Sequence, residues 1–119
     1  MRIALVAAVA AAFLFAAPTP ATVNPARVQV TAKEFFYALS RGSVVAGPAI
    51  VELVNYGEDP HDMRIKRVGG THVYKTPLLQ PGTYFDLELK LLPGKYQLWC
   101  SIANHRALGM NAVLIVRKK

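Results

Sequence analysis

Two four-residue segments, Gln80-Pro81-Gly82-Thr83 and Leu92-Pro93-Gly94-Lys95, constrain what this chain can fold into more than any other feature. Each puts Pro then Gly at its centre, the signature of a type II turn, because the proline ring presets one dihedral and the glycine accepts a positive φ. Between them Phe85, Leu87 and Leu89 alternate with Asp86, Glu88 and Lys90. A period of two places the apolar set on one face of a half-buried strand. A chain that turns, runs one strand and turns again is committed to β-structure there.

The same grammar extends over most of the sequence. Val28, Val30 and Ala32 alternate with Gln29, Thr31 and Lys33. Phe35, Phe36 and Tyr37 follow and read as packing at one end of a core. After the turn Arg41-Gly42-Ser43, the run Ala49 to Asn55 has Glu52 as its only charge, so Val51, Leu53 and Asn55 face inward if Glu52 faces water. Gly57-Glu58-Asp59-Pro60 is a loop ending at His61, and Met63, Ile65 and Arg67 begin another alternating strand. Gly69-Gly70 marks a further turn, and His72, in no motif, reads as a surface residue of a short strand. Tyr96, Leu98 and Cys100 share one face opposite Lys95, Gln97 and Trp99. In the final run, Ala112 to Val116, Val113 and Ile115 are apolar as well, which predicts a central strand covered on both faces. Seven or eight short strands without an amphipathic helix predict a two-sheet sandwich.

The N-terminus follows a different rule. Met1 and Arg2 precede an uncharged run from Ile3 to Ala17, the layout of a secretory signal. Fifteen residues fall short of the roughly 20 a spanning helix needs. Residues 1–21 therefore read as a signal peptide cut after Ala21, or as an uncleaved anchor that would be the chain's one membrane attachment. Residues 22–26 read as a flexible lead-in and 27–119 as the domain. Cleavage would leave 98 residues, enough for one core, and an export route ending in the periplasm, at the cell-envelope exterior or in the medium. The mature chain would carry thirteen Lys and Arg against seven Asp and Glu, a balance that favours an acidic partner. Export and the scattered basic residues argue against nucleic acid.

An exported chain with a single cysteine cannot staple itself, so Cys100 is either a small buried hydrophobe or a thiolate ligand. Its setting is Cys100-x4-His105-x4-Met110. Thiolate, imidazole and thioether are soft or borderline donors that suit copper better than zinc, calcium or magnesium. A trigonal His2Cys copper site with a long axial Met needs a second histidine, for which His61 is the candidate.

Asn55-x-Gly57 ahead of His61, then Cys100, His105 and Met110 before an apolar last strand, is a pattern that resembles the cupredoxins, in particular the small single-domain plastocyanin-like blue-copper proteins. The resemblance runs from about residue 27 to residue 118. It implies an all-β, two-sheet Greek-key sandwich and one type 1 copper ion held by His61, Cys100, His105 and Met110. It also implies a monomeric one-electron carrier whose port is His105, with Ala103, Ala107, Leu108 and Gly109 as an apolar docking patch and Arg106 selecting an acidic redox partner. Asn55 would either tie the two ligand-bearing segments together or be a plain turn residue before Gly57. Asp62 departs from the Asn or Ser that many family members carry after the first histidine, which bears on redox tuning.

The second reading is an extracytoplasmic module that binds, transports or buffers copper without passing electrons. A third, a metal-free adhesive sandwich, requires the ligand spacing to be accidental. Enzymatic readings fare poorly, since multicopper oxidases need His-x-His pairs and this chain has three histidines in all. Structural zinc sites favour more thiolates and lack thioether.

Overall fold

The computed structural model describes residues 7–19 and 23–119. Residues 7–19 carry no regular structure, and Val9, Phe13, Leu14 and Phe15 are exposed. The expected cleavage point after Ala21 lies outside the described residues. No helix among the described residues is long and apolar enough to cross a membrane.

Nine strands and one short helix form among the described residues: β1 (Ala26–Lys33), β2 (Phe36–Leu39), β3 (Ser43–Val45), β4 (Gly47–Asn55), β5 (Arg64–Arg67), β6 (Val73–Lys75), β7 (Tyr84–Leu91), β8 (Gly94–Trp99), α1 (His105–Leu108) and β9 (Asn111–Arg117). They build two mixed sheets, β2-β1-β4-β7 and β3-β9-β8-β5-β6, packed as a sandwich. Pairing is parallel between β1 and β4 and between β3 and β9, and antiparallel elsewhere. The strands without a sequence signal, β2 and β3, are four and three residues long, too brief for alternation to mark.

The period-two pattern becomes the core. Val28, Val30 and Ala32 from β1 and Ala49, Val51 and Leu53 from β4 face Ile65, Tyr96, Leu98, Leu114 and Val116 from the second sheet, all buried. Each fully buried Val, Leu or Ile contributes about 1.5–3 kcal/mol of transfer free energy. On the outer face the register puts Gln29 beside Glu52, and the Gln29 amide donates to that carboxylate over 2.9 Å. Glu52 does face outward, with Val51, Leu53 and Asn55 inward.

Three local expectations need correction. β9 is central in its sheet, yet Val113 and Ile115 are 42% and 44% exposed, because the sandwich has two layers and no third layer forms over that outer face among the described residues. β7 turns Leu87 and Leu89 against the core as expected, but Phe85, the third of that set, is 37% exposed on this edge strand. The Pro81-Gly82 segment closes as expected, with Gly82 at φ 81° and the Thr83 N–H donating to the Gln80 carbonyl. The Pro93-Gly94 segment does not close in that way. Gly94 sits at φ 140° and already belongs to β8, while Arg67 donates two hydrogen bonds to the Pro93 carbonyl.

Candidate metal centre

At one end of the sandwich the chain brings three donors together. His61 lies between β4 and β5, where it forms an isolated bridge with Leu79, its N–H donating to the Leu79 carbonyl and the Leu79 N–H returning to its own. Regular strand structure resumes only at Arg64, so Met63, expected to begin the strand, precedes it together with His61. Cys100 directly follows β8, and His105 begins α1, the single helical turn in the loop to β9. One ligand atom from each of His61, Cys100 and His105 lies within 4.8 Å of the other two, and all three residues are buried. This group is positioned to bind a metal.

The hydrogen-bond pattern shows which atoms are available. The His61 Nε2–H donates to Glu34 Oε1 over 2.9 Å, whereas His61 Nδ1 is buried without a partner. An unpartnered buried nitrogen is costly unless something binds it. His105 Nδ1 lies 3.7 Å from the Cys100 sulfur, and the two imidazole rings sit 5.1 Å apart, centre to centre. Burial pushes the Cys100 thiol above its ordinary pKa. A metal ion reverses that preference, because a coordinating thiol loses its proton outright.

Met110 is fully buried and tied to both loop donors through its backbone. Its N–H donates to the His105 carbonyl and its carbonyl accepts from the Cys100 N–H. The Cys-x4-His-x4-Met spacing thus closes a compact loop in which the first and last candidates hold each other. Gly109, at φ 131°, makes the last bend possible. A Cβ there would lie 2.6 Å from the Phe35 carbonyl oxygen.

Asn55, fully buried at the end of β4, is a structural tie rather than a plain turn residue. Its amide donates to the Asp59 and Leu79 carbonyls and accepts from the Gly57 N–H. These bonds lock the His61 loop to the 79 segment and do not reach the Cys100 loop. Asp62 makes that second connection. Its carboxylate accepts from the Ser101 N–H over 2.7 Å and from the Ser101 hydroxyl, and the Arg64 guanidinium approaches it at 3.5 Å. The residues following His61 and Cys100 are thereby strapped together, and the Tyr37 hydroxyl adds a bond to the Asp62 carbonyl.

Two participants escaped sequence reasoning. Phe35 packs against the core as expected, and its ring also lies 4.9 Å from that of His105. Glu34 carried no signal beyond being an acid beside an aromatic run, and it lies 27 residues from the histidine it binds. Its Oε1 also accepts from the Glu58 and Asp59 N–H groups. The Asp59 N–H above all, with His61 and the other amides, holds its carboxyl down at about 2. His72 is exposed just ahead of β6, stacks edge-on against Tyr74 and is not one of the three grouped donors.

No protein-family model and no curated protein matches the chain. Solved structures do. The chain is similar to auracyanin A, described as a "blue" copper protein, from Chloroflexus aurantiacus, with a TM-score of 0.64 at 13% identity over 79% of this chain and 100% of that one. Reduced auracyanin from Roseiflexus castenholzii matches with a TM-score of 0.63 at 18% identity, covering 76% of this chain and 95% of that one. Reduced rusticyanin matches at 0.59 and 18% identity, covering 80% and 82%. The chain has the cupredoxin fold.

Proposed function

We propose that this chain is an exported, non-enzymatic carrier of single electrons that cycles one type 1 copper ion between Cu(I) and Cu(II). His61 and His105 would bind through Nδ1 and Cys100 through its thiolate, with the Met110 thioether as a weaker fourth donor that tunes more than it holds. One observation carries this reading. Three soft or borderline donors from two segments, the His61 loop and the loop between β8 and β9, converge within 4.8 Å, and the one nitrogen of His61 that has no hydrogen-bond partner is buried. The donor set and the closed packing suit copper, and the copper-protein description of auracyanin A agrees with that choice.

Bound copper would supply the one-electron couple, while the chain supplies a frame that changes little between oxidation states. The Asp62–Ser101 strap, the Asn55 bonds and the Cys100–Met110 backbone bond all restrain the donors, which lowers the reorganisation needed to pass an electron. His105, 8% exposed, is the candidate port. Around it Ala103, Ala107 and Leu108 are exposed, and the Arg106 guanidinium lies 4.7 Å above the Trp99 ring, where it can meet an acidic redox partner. The carrier would act as a monomer outside the cytoplasm, reached through the N-terminal signal segment.

Titration of the mature, thiol-reduced protein with Cu(II), beside Cys100→Ala, tests the reading. An intense thiolate-to-copper band that saturates at one equivalent, bleaches on reduction and is absent from the variant is the expected result. Copper binding without that band would favour transport or buffering, and no binding would overturn both.

A further inference from the structure

The Glu34–His61 contact goes beyond what holding a ring in place requires. A neutral carbonyl on Nε2 would select the same tautomer, but the chain brings a carboxylate instead and builds a seat for it. All three bonds to that seat fall on one oxygen, from His61 Nε2 at 2.9 Å, the Glu58 N–H at 2.8 Å and the Asp59 N–H at 2.7 Å. Gly57 makes the approach possible, since a Cβ at that position would overlap the carboxylate. On the far side of the ring, Nδ1 is left as a buried, unpartnered acceptor, and a ring nitrogen of His61 lies within 4.8 Å of the Cys100 and His105 donors.

We infer that Glu34 is a positioning residue of the metal centre: it fixes His61 as the Nε2–H tautomer with its Nδ1 lone pair free for the metal, and its negative charge favours the oxidised ion over the reduced one. The inference rests on the copper reading above. An imidazole that donates its other N–H to a carboxylate is a more basic ligand. A fixed anion behind that ligand stabilises Cu(II) more than Cu(I), because the attraction scales with the charge on the ion. The reduction potential is therefore held lower than the four donors alone would set it.

Three variants test this. Glu34→Gln is isosteric and can keep a carbonyl at the Oε1 position, so it removes charge and preserves geometry. Glu34→Ala removes both, and Gly57→Ala evicts the carboxylate without touching it. In the metal-free protein, near neutral pH, long-range nitrogen–proton correlation spectra should show the Nε2–H tautomer of His61 in the wild type and Glu34→Gln. Both alanine variants should show a mixture. With copper, chelator competition should show Glu34→Gln losing Cu(II) affinity by about 10- to 100-fold. Cu(I) affinity should move less, and each tenfold difference between the two raises the potential by about 59 mV. A wild-type potential in Glu34→Gln would overturn the charge role. An unchanged tautomer in both alanine variants would overturn the positioning role. Absence of the copper band in the wild type would sink the copper reading, while the metal-free spectra would still decide whether Glu34 orients His61.

Discussion

Replacing Asn55 by alanine should destabilise the metal-free protein by about 2–3 kcal/mol. The side chain makes three hydrogen bonds, to the Gly57 N–H and the Asp59 and Leu79 carbonyls. Each is worth about 1 kcal/mol net, and more where the partner is left buried and unpaired. The Leu79 carbonyl keeps a second donor, the His61 N–H, and the exposed residue Asp59 can turn its carbonyl to water. The loss therefore stays near the simple sum, which for a domain of this size lowers Tm by about 10–20 °C. Urea unfolding of both proteins, followed by Trp99 fluorescence, gives the difference directly. Asn55→Asp sharpens the argument, because a carboxylate can accept from Gly57 but repels the two carbonyls it should donate to. It should be worse than alanine at neutral pH and recover as acid protonates it. An Asp variant as stable as the wild type, or an Ala variant within 0.5 kcal/mol of it, the range of ordinary surface substitutions, would refute the tie.

Gly109→Ala should cost about 2 kcal/mol or more and displace Phe35 from His105, since φ 131° is strained for any L side chain and the new Cβ meets the Phe35 carbonyl; thermal unfolding and the copper spectrum report the two effects. Burial, then the nearby Cys100 and Asp62 charges, push the Tyr37 phenol far above its ordinary value of 10.0. The unfolded chain therefore releases this proton first. Stability from Tyr37 is full below about pH 10 and falls by up to about 1.4 kcal/mol per unit above it, so wild type and Tyr37→Phe should converge as alkaline urea titrations proceed. Met110→Gln should leave copper bound while shifting potential and spectrum, and loss of all binding would refute the tuning role.

Much of the fold was legible because strand burial is a local, periodic property. Val28-Val30-Ala32 and Val51-Leu53-Asn55 announce their inward faces by alternation alone, and the sandwich has no other way to bury them. Cys100, His105 and Met110 were legible together because one short loop carries them and closes on itself through backbone bonds. His61 could be nominated from chemistry, but its partnership depends on two sheets bringing segments 39 residues apart to one end of the core. Periodicity misled at Val113 and Ile115, where apolar character is not matched by a covering layer. It was silent on Glu34, Phe35 and the Asp62–Ser101 strap, since hydrogen bonds and ring contacts across 27 to 70 positions leave no trace in neighbouring residues. Which residues can pair in a strand or coordinate an ion follows from side-chain chemistry and spacing. Which carboxylate stands behind which histidine is decided only when packing sets the distances, because a charge acts through space and not along the chain.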